Sequence, residues 1–289
     1  MRAIATQNSC MNARTAVLTV FAMLAFAGNS LLCRAALRDS QIDPTSFTAL
    51  RLVAGAAVLW LLLSLRGKVS KPSGSWAGAL ALFVYAAAFS NAYVDLDAGA
   101  GALLLFGAVQ LSMVAWGFAR GERLNGWQTA GMITAGMGLA ALLLPDASAP
   151  SLSASLLMVL AGSAWGAYSL QGKNNSDPMA ATAGNFIRTL PMVALLGLAT
   201  WNRLEWNGTG VIYALLSGGL ASGIGYALWY AALPGLAAIQ AASVQLSVPF
   251  ITALAGMLLL GETLTASAVA AGIAILAGIT LVLRFKRSN

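Results

Sequence analysis

The chain is organised as a series of apolar stretches, each long enough to cross a lipid bilayer as a helix. A spanning helix needs about 20 predominantly apolar residues. Turn-forming or charged residues separate the stretches. The pattern predicts an all-α membrane protein with ten transmembrane helices. They are expected at approximately 15–35, 46–65, 74–94, 99–119, 126–145, 152–172, 179–200, 208–231, 236–260 and 266–284.

The chain has too few charged residues to cover a soluble globule. Charged residues make up 9% of it and hydrophobic residues 59%, whereas a soluble domain carries about 25% charged residues. The apolar surface is therefore expected to face membrane lipid. The net charge of +7 comes from basic residues in short loops, where they contact lipid headgroups. No basic stripe or tail indicates a nucleic-acid partner.

The charges of the loops predict the orientation of the chain. With a cytoplasmic N-terminus, eleven Lys and Arg residues lie in inner segments, and Arg34, Arg38 and Arg203 are the three in outer segments. Loops on the cytoplasmic side of a membrane are enriched in Lys and Arg. We therefore expect a multi-pass protein of a bacterial inner (plasma) membrane, with both termini in the cytoplasm.

Three motifs of the first half recur, in the same order, in the second half. Each recurs at the same point of the helix count, which predicts two five-helix repeats, at 12–146 and 152–286. Because five is odd, the second repeat enters the membrane from the opposite side. Inverted repeats are typical of transporters that bind substrate near the midplane and alternate access. The pairs are Val109-Gln110-Leu111-Ser112 with Val244-Gln245-Leu246-Ser247, Gly121-Glu122-Arg123-Leu124 with Gly261-Glu262-Thr263-Leu264, and Asp43-Pro44 before Arg51 with Asp177-Pro178 before Arg188.

This pattern resembles the drug/metabolite transporter superfamily, and within it the ten-helix exporters built from two EamA-type repeats. The resemblance rests on Arg51 and Arg188, on the Gly-Glu-x-Leu ends of helices four and nine, and on Pro249. Val114 stands where a proline equivalent to Pro249 is expected, so helix four departs from the pattern. The loop at 93–99 and the aromatic-rich sixth helix are similar to the aromatic amino acid exporter branch. The resemblance implies export of aromatic and other neutral amino acids, and of related small molecules.

Polar and aromatic side chains inside the apolar helices are the candidate substrate-binding residues. In hydrocarbon their polar groups stay unsatisfied unless the protein or a substrate pairs them; hydrogen bonds between helices are the structural alternative. As a set they describe an aromatic-walled cavity with neutral hydrogen-bonding groups, suited to a zwitterion with an apolar side chain. Asn29 and Ser163 are of the same kind. The candidates are Tyr85, Asn91, Gln110, Trp165, Tyr168, Tyr226, Ser243 and Gln245.

Two arginines inside helices allow two interpretations. Arg51 and Arg188 either bind a substrate carboxylate or form structural ion pairs, because a charge inside a membrane helix is costly. The predicted topology puts Arg51 and Glu262 on the outer side. It puts Arg188 and Glu122 on the inner side. We therefore predict two structural ion pairs between the repeats, Arg51–Glu262 and Arg188–Glu122.

The residue types that are missing bear on the mechanism. The chain has no histidine, and its nine acidic residues all fall at helix ends or in loops, whereas proton relays use Asp, Glu or His inside the membrane. A facilitative, monomeric carrier without metal or cofactor is expected, rather than an enzyme or a channel. Two alternatives stay open: a carrier of phosphorylated or nucleotide-linked sugars, and a proton-coupled multidrug or metabolite antiporter.

Overall fold

The computed structural model describes residues 12–39, 42–66, 72–119, 125–143, 151–172, 176–236 and 244–284. Apart from a short 3-10 helix at Trp201–Arg203 and two helical residues before the turn at Leu246, the chain forms ten helical segments within these ranges and no strand. We number them α1 (Ala13–Asp39), α2 (Pro44–Leu65), α3 (Trp76–Ala92), α4 (Ala98–Ala119), α5 (Gly126–Leu143), α6 (Leu152–Gly172), α7 (Pro178–Ala199), α8 (Gly208–Gly235), α9 (Ser247–Leu260) and α10 (Ala266–Arg284).

The lengths and surfaces of these helices are those of a membrane protein. Six of the described helices, α1, α2, α4, α6, α7 and α8, are long and apolar enough to cross a bilayer, and α3, α9 and α10 contain shorter apolar helices. Large apolar side chains cover the outside of the bundle. Trp60 is 55% exposed, Leu198 71% and Leu258 74%. A surface of this kind is stable against lipid and not against water, so the chain is a multi-pass membrane protein.

The repeated Asp-Pro motif marks the start of two helices. The Asp43 carboxylate accepts hydrogen bonds from the backbone N–H groups of Thr45 and Ser46 at the start of α2. Asp177 accepts one from Ala180 at the start of α7. An aspartate before the first turn pairs backbone donors that the helix leaves free. Proline fits the first helical position because it has no N–H to lose. The motif therefore encodes a helix start.

Glycines show that α5 and α10 run in opposite directions. A Cβ on Gly131 would lie 2.6 Å from the carbonyl oxygen of Gly278, and one on Gly138 would lie 2.9 Å from that of Ala271. The contacts advance along α5 while they retreat along α10, so the two helices are antiparallel. The absence of side chains at these glycines allows the two backbones to touch, as is usual between membrane helices.

Helices α2 and α8 run in the same direction and also pack through glycines. A Cβ on Gly218 would overlap the carbonyl oxygen of Arg51, and one on Gly223 would lie 3.0 Å from Val58 Cγ1. Both glycines belong to Leu216–Ile224, a π-helical stretch in the middle of α8. Single π-helical stretches are often found at functional sites. This one positions α8 against α2 at the level of Arg51.

Contacts made by the segments that connect the helices show which helix ends lie together, and the helix ends fall into two groups. At one end, the Arg34 side chain of α1 reaches the α3–α4 connection at Tyr93 and the α9–α10 connection at Glu262. At the other, Ser73 before α3 donates a backbone hydrogen bond to Ala180 of α7. We call the first group of helix ends the Arg34 end of the bundle.

We expect Gly218→Ala to destabilise the protein by about 1–3 kcal/mol, the usual cost of overpacking. The new methyl group would meet the backbone of α2 at Arg51, which cannot move aside as a flexible side chain can. Gly136→Ala in α5 is the matched control, because a Cβ there has no atom within 4 Å. Thermal melting in detergent measures both. Equal melting temperatures of the two variants would contradict this packing.

Candidate functional site

A cavity lies between helices from both halves of the chain. The space between its lining atoms, together with the open solvent at its mouth, is about 420 Å³. The lining comes from α1, α3 and α4 in the first half, and from α6, α8 and the helical residue Gln245 just before α9 in the second. Two helix pairs, α2 with α7 and α5 with α10, contribute none of the lining residues. These residues are Phe26, Asn29, Ser30, Tyr85, Phe89, Leu105, Phe106, Trp165, Ala221, Ser222, Tyr226 and Gln245.

One side of the cavity is aromatic. The rings of Trp165 and Tyr226 stack with centroids 5.2 Å apart and planes 24° apart. Tyr85 packs against Trp165 at 5.0 Å, and Phe26 packs edge-on against Tyr226 at 5.9 Å. We call Phe26, Tyr85, Trp165 and Tyr226 the aromatic wall. Its ring faces offer an apolar surface to a flat or bulky side chain.

A chain of hydrogen bonds forms the polar side of the cavity. Ser217 Oγ of α8 donates to Asn29 Oδ1 at 2.7 Å, and Asn29 Nδ2 donates to the Tyr85 hydroxyl at 3.3 Å. Arg51 Nη2 of α2 donates to the same hydroxyl at 3.0 Å. Four helices therefore hold these groups in place.

Four of the sequence-predicted residues line this cavity. They are Tyr85, Trp165, Tyr226 and Gln245. They come from α3, α6, α8 and the helical residues just before α9, so the structure brings together residues that are far apart in the chain. Whether they bind substrate stays a prediction.

The other four predicted residues lie elsewhere. Gln110 is buried in α4 but is outside the lining. Tyr168 packs behind the aromatic wall, 5.4 Å from the ring of Trp165, and its hydroxyl donates to Thr182 Oγ1 at 3.3 Å. Asn91 is exposed, and its amide donates to the backbone of its own helix. Ser243 lies outside the described residues.

Sequence reasoning missed most of what α1 and α4 contribute. Phe26 and Phe106 are of the same apolar types that cover the lipid-facing surface, so their position in the chain gives no signal. Asn29 carries a signal, because an amide within an apolar helix needs a partner.

The predicted Arg51–Glu262 ion pair is wrong. Glu262 pairs with Arg34, with 3.2 Å between Glu262 Oε1 and Arg34 Nε, whereas Arg51 donates to Tyr85. The predicted topology grouped Glu262 with Arg34 in the outer segments, and in the structure the two residues do lie together. It could not show that Arg51 points into the bundle, against the rings of Tyr85 and Phe89, nor that Arg34 turns inward.

Glu122, the acidic residue of the second predicted pair, Arg188–Glu122, lies outside the described residues. Its proposed partner, Arg188, has other acceptors. Arg188 Nη1 donates to the backbone carbonyls of Ser73 and Gly184. Arg188 therefore joins α7 to the segment that precedes α3.

Arg34 is buried and lies at the centre of a polar network that reaches the half-exposed Asp97. Its Nη1 donates to the carbonyl oxygens of Tyr93 at 3.0 Å and Val94 at 2.8 Å. Its Nη2 lies 3.1 Å from Asp97 Oδ1, and its Nε binds Glu262. We call Arg34, its carbonyl partners, Asp97 and Glu262 the Arg34 network. It ties α1 to the α3–α4 and α9–α10 connections.

Glu262 is held at the start of α4. The Ala98 N–H donates to both Glu262 carboxylate oxygens, at 3.1 and 2.9 Å, and the partial positive charge of a helix N-terminus favours an anion. Burial nevertheless raises the pKa of Glu262, and the neighbouring Asp97 charge raises it further, against the opposing effects of Ala98 and Arg34. Glu262 therefore takes up a proton at a higher pH than an ordinary glutamate does.

An all-helical bundle with an apolar exterior and a cavity between its helices defines a multi-pass membrane protein with a candidate small-molecule site. The chain belongs to the EamA-like transporter family, whose profile matches residues 13–144 and 152–284. The predicted resemblance to EamA-type transporters of the drug/metabolite superfamily is thereby confirmed. Membership of this family indicates a transporter rather than an enzyme.

Relatives and a solved structure are similar over nearly the whole chain. An uncharacterised protein of Pseudomonas aeruginosa is 61% identical over 271 residues, which are 93% of this chain and 94% of that protein. An uncharacterised transporter of Archaeoglobus fulgidus is 25% identical over 287 residues, 94% of this chain and 98% of that one. A protein crystal structure with 19% identity has a TM-score of 0.67, covering 97% of this chain and 100% of that chain. This last similarity is one of fold.

Replacing Glu262 should separate its hydrogen bonds from its charge. Glu262→Gln keeps an acceptor oxygen and removes the buried charge, whereas Glu262→Ala leaves Arg34 Nε and the Ala98 N–H without this partner. We expect the alanine variant to lose about 1–3 kcal/mol of stability, the cost of unpaired buried donors. The glutamine variant should lose less. Melting temperatures in detergent test the order, and an alanine variant as stable as the glutamine variant would contradict it.

The stability of the wild type relative to Glu262→Gln should depend on pH. Because the pKa of Glu262 is raised in the folded protein, the folded state binds this proton more tightly than the unfolded state does. The wild type should therefore gain stability relative to the variant as the pH falls through that pKa, and lose it as the pH rises again. Melting curves of both proteins from mildly acidic to neutral pH measure the difference. A wild type that becomes less stable relative to Glu262→Gln as the pH falls would contradict the predicted direction of this pH dependence.

Proposed function

We propose that this protein exports amino acids, aromatic and other neutral ones, and related small molecules by alternating access. The cavity carries the proposal. The rings of its aromatic wall and the neutral hydrogen-bonding groups of Asn29, Tyr85 and Gln245 line the same space. An apolar wall with a few convergent polar groups is the usual form of a small-molecule site, and this one suits a zwitterion with an apolar side chain.

The origin of the cavity lining supports alternating access. In the proposal, the chain consists of two inverted five-helix repeats, 12–146 and 152–286, each of which supplies half of the cavity. The family profile matches one stretch within each proposed repeat. The antiparallel course of α5 and α10, which hold the same place in the two repeats, agrees with inversion. A site between two inverted repeats opens to either side when one repeat rocks against the other.

The charges of the cavity bear on the cargo. Among its described lining residues none is Lys or Arg, whereas a phosphorylated or nucleotide-linked sugar calls for several convergent cations. The protein is proposed to act as a monomer. Both termini are proposed to lie in the cytoplasm of a bacterial cell, with the bundle in the inner membrane.

Two forms of energy coupling are candidates. Facilitative export is the first, because no Asp or Glu lies in the middle of a described helix and proton carriers use such residues. Proton-coupled antiport is the second, and Glu262 is the observation that favours it. Its carboxylate is buried, and the pKa of that group is raised. Its partners Arg34 and the Ala98 N–H belong to α1 and α4, which also line the cavity.

A transport assay in liposomes should decide between these functions. Purified protein is expected to move labelled phenylalanine, tryptophan and leucine, but not sugar phosphates, down their concentration gradients. Empty liposomes are the control. Transport of a sugar phosphate with no transport of any amino acid would overturn the proposal. An imposed pH gradient should change the initial rate little for a facilitator; a strict requirement for the gradient would favour the antiporter.

The aromatic wall should determine which amino acids are preferred. Trp165→Leu removes the indole that stacks on Tyr226 and packs against Tyr85, and aromatic contacts are worth about 0.5–1.5 kcal/mol each. We expect binding of tryptophan to weaken about 3–10-fold and that of alanine to change less. Trp60→Leu is the matched control, because Trp60 lies on the exposed face of α2. Equal losses for tryptophan and alanine would argue against a role of the wall in selectivity.

A further inference from the structure

Arg51 is a deeply buried cation whose hydrogen bonds are incomplete. It is 2% exposed. Its Nη2 donates to the Tyr85 hydroxyl, whereas its Nη1 is buried and has no hydrogen-bond partner among the described residues. No carboxylate of the described part of the chain forms a salt bridge with it. A second buried arginine, Arg34, contrasts with it, because two carboxylates surround that guanidinium.

A guanidinium in this setting favours an anion. Arginine keeps its charge in proteins, and a buried charge is costly unless it is paired. The rings of Phe89 and Tyr85 lie 4.8 and 5.2 Å from Arg51 Cζ. Their faces offset part of the cost through cation–π attraction. The rings have no lone pair that can accept from Nη1, so a donor remains to be paired.

The guanidinium lies directly behind the cavity. Both rings that contact it, Tyr85 and Phe89, belong to the lining. The Tyr85 hydroxyl accepts hydrogen bonds from two donors, Arg51 Nη2 at 3.0 Å and Asn29 Nδ2 at 3.3 Å. One oxygen that receives a cationic and an amide donor occupies the place that a carboxylate oxygen would take. The unpaired Nη1 is then available for the second oxygen, and two-point contact of this kind is typical of arginine with carboxylates.

We propose that Arg51 is the anion-binding residue of the cavity, and that it binds the carboxylate of the cargo when this group displaces the Tyr85 hydroxyl. Asn29 donates to the same carboxylate. The apolar body of the cargo then lies against the aromatic wall. The preferred class is therefore a monocarboxylate with an apolar or aromatic body. The inference rests on the proposed function in one respect, that cargo enters this cavity, and it adds which chemical group of the cargo is recognised.

Arg188 provides the matched comparison. It too follows an Asp-Pro motif, ten residues after Pro178 where Arg51 is seven residues after Pro44, but Arg188 Nη1 donates to the carbonyl oxygens of Ser73 and Gly184. It is outside the cavity lining. Substitution of Arg188 should therefore leave the recognition of cargo carboxylates unchanged, although both arginines lie within helices.

The first test compares matched ligands on the wild-type protein. The pairs are L-phenylalanine with L-phenylalaninamide and 3-phenylpropanoate with 3-phenylpropanamide, measured by isothermal titration calorimetry on purified protein. We expect each carboxylate to bind at least about tenfold more tightly than its amide, because hydrogen bonds between charged groups are the strong ones. Equal affinities within both pairs would overturn the proposal, as would carboxylates that do not bind at millimolar concentration.

The second test uses variants that replace Arg51, whose Nη1 is the unpaired donor, or that place an internal carboxylate near it. Arg51→Gln should abolish the preference for carboxylates, Arg51→Lys should keep part of it, and Arg188→Gln should keep all of it. Asn29→Asp is an isosteric variant that serves even if Arg51→Gln does not fold. It places a carboxylate next to the Tyr85 hydroxyl and so supplies Arg51 with an internal anion. Carboxylate ligands should then lose their advantage, and an advantage that survives in Asn29→Asp would overturn the proposal.

The outcomes separate this inference from the proposed function. A carboxylate preference that depends on Arg51, in a protein that transports no amino acid, would uphold the anion site and overturn amino acid export. Transport of amino acids with equal binding of acids and amides would overturn the anion site and leave export standing.

Discussion

In a helical bundle surrounded by lipid, every polar group must find its partner inside the protein. The Arg34 network shows how fully this can be done. The Arg34 guanidinium binds two carboxylates and two backbone carbonyls, and Glu262 receives both Arg34 and the first N–H of α4. Side chains and backbone of three separate segments meet in one cluster around the buried guanidinium of Arg34. That cluster fixes the position of α1 relative to the α3–α4 and α9–α10 connections at the Arg34 end, and α1 and α4 both line the cavity.

Arg51 is subject to the same constraint, but its Nη1 has no hydrogen-bond partner among the described residues. Arg34 and Arg51 are similarly buried, and they belong to neighbouring helices, yet only Arg34 has carboxylate partners among the described residues. A fully paired cation stabilises the contacts around it, and its position needs no other explanation. A cation with an unpaired donor beside a cavity keeps a free-energy cost that an anionic ligand can reduce. The difference between the two arginines lies in their partners, and neither charge nor burial alone would reveal it.

The sequence predicted the helices and part of the cavity for definite physical reasons. Asp43 and Asp177 indicate helix starts because an aspartate before a proline is a strong capping signal. Tyr85, Trp165 and Tyr226 stand out because polar or amphipathic rings inside apolar helices need partners. Phe26, Leu105 and Phe106 could not be found in this way, since the same residue types face lipid elsewhere. Their place in the cavity depends on which side of each helix faces inward, and with apolar residues on every side the pattern does not record it.

The mistaken partner of Glu262 shows where sequence reasoning stops, and the true partner has a consequence for transport. Topology assigns residues to an end of the bundle, but not the direction in which a side chain points. The charge pattern places Arg34 in an outer segment, but it does not show that the side chain turns inward and binds Glu262. The Arg34 network joins α1 to the α3–α4 and α9–α10 connections, and α1, α3 and α4 supply residues of the cavity lining. In the proposed alternating-access cycle, an opening that moves α1 away from those connections would break the hydrogen bonds of Arg34. The free-energy cost of breaking them would then disfavour the state that is open at this end.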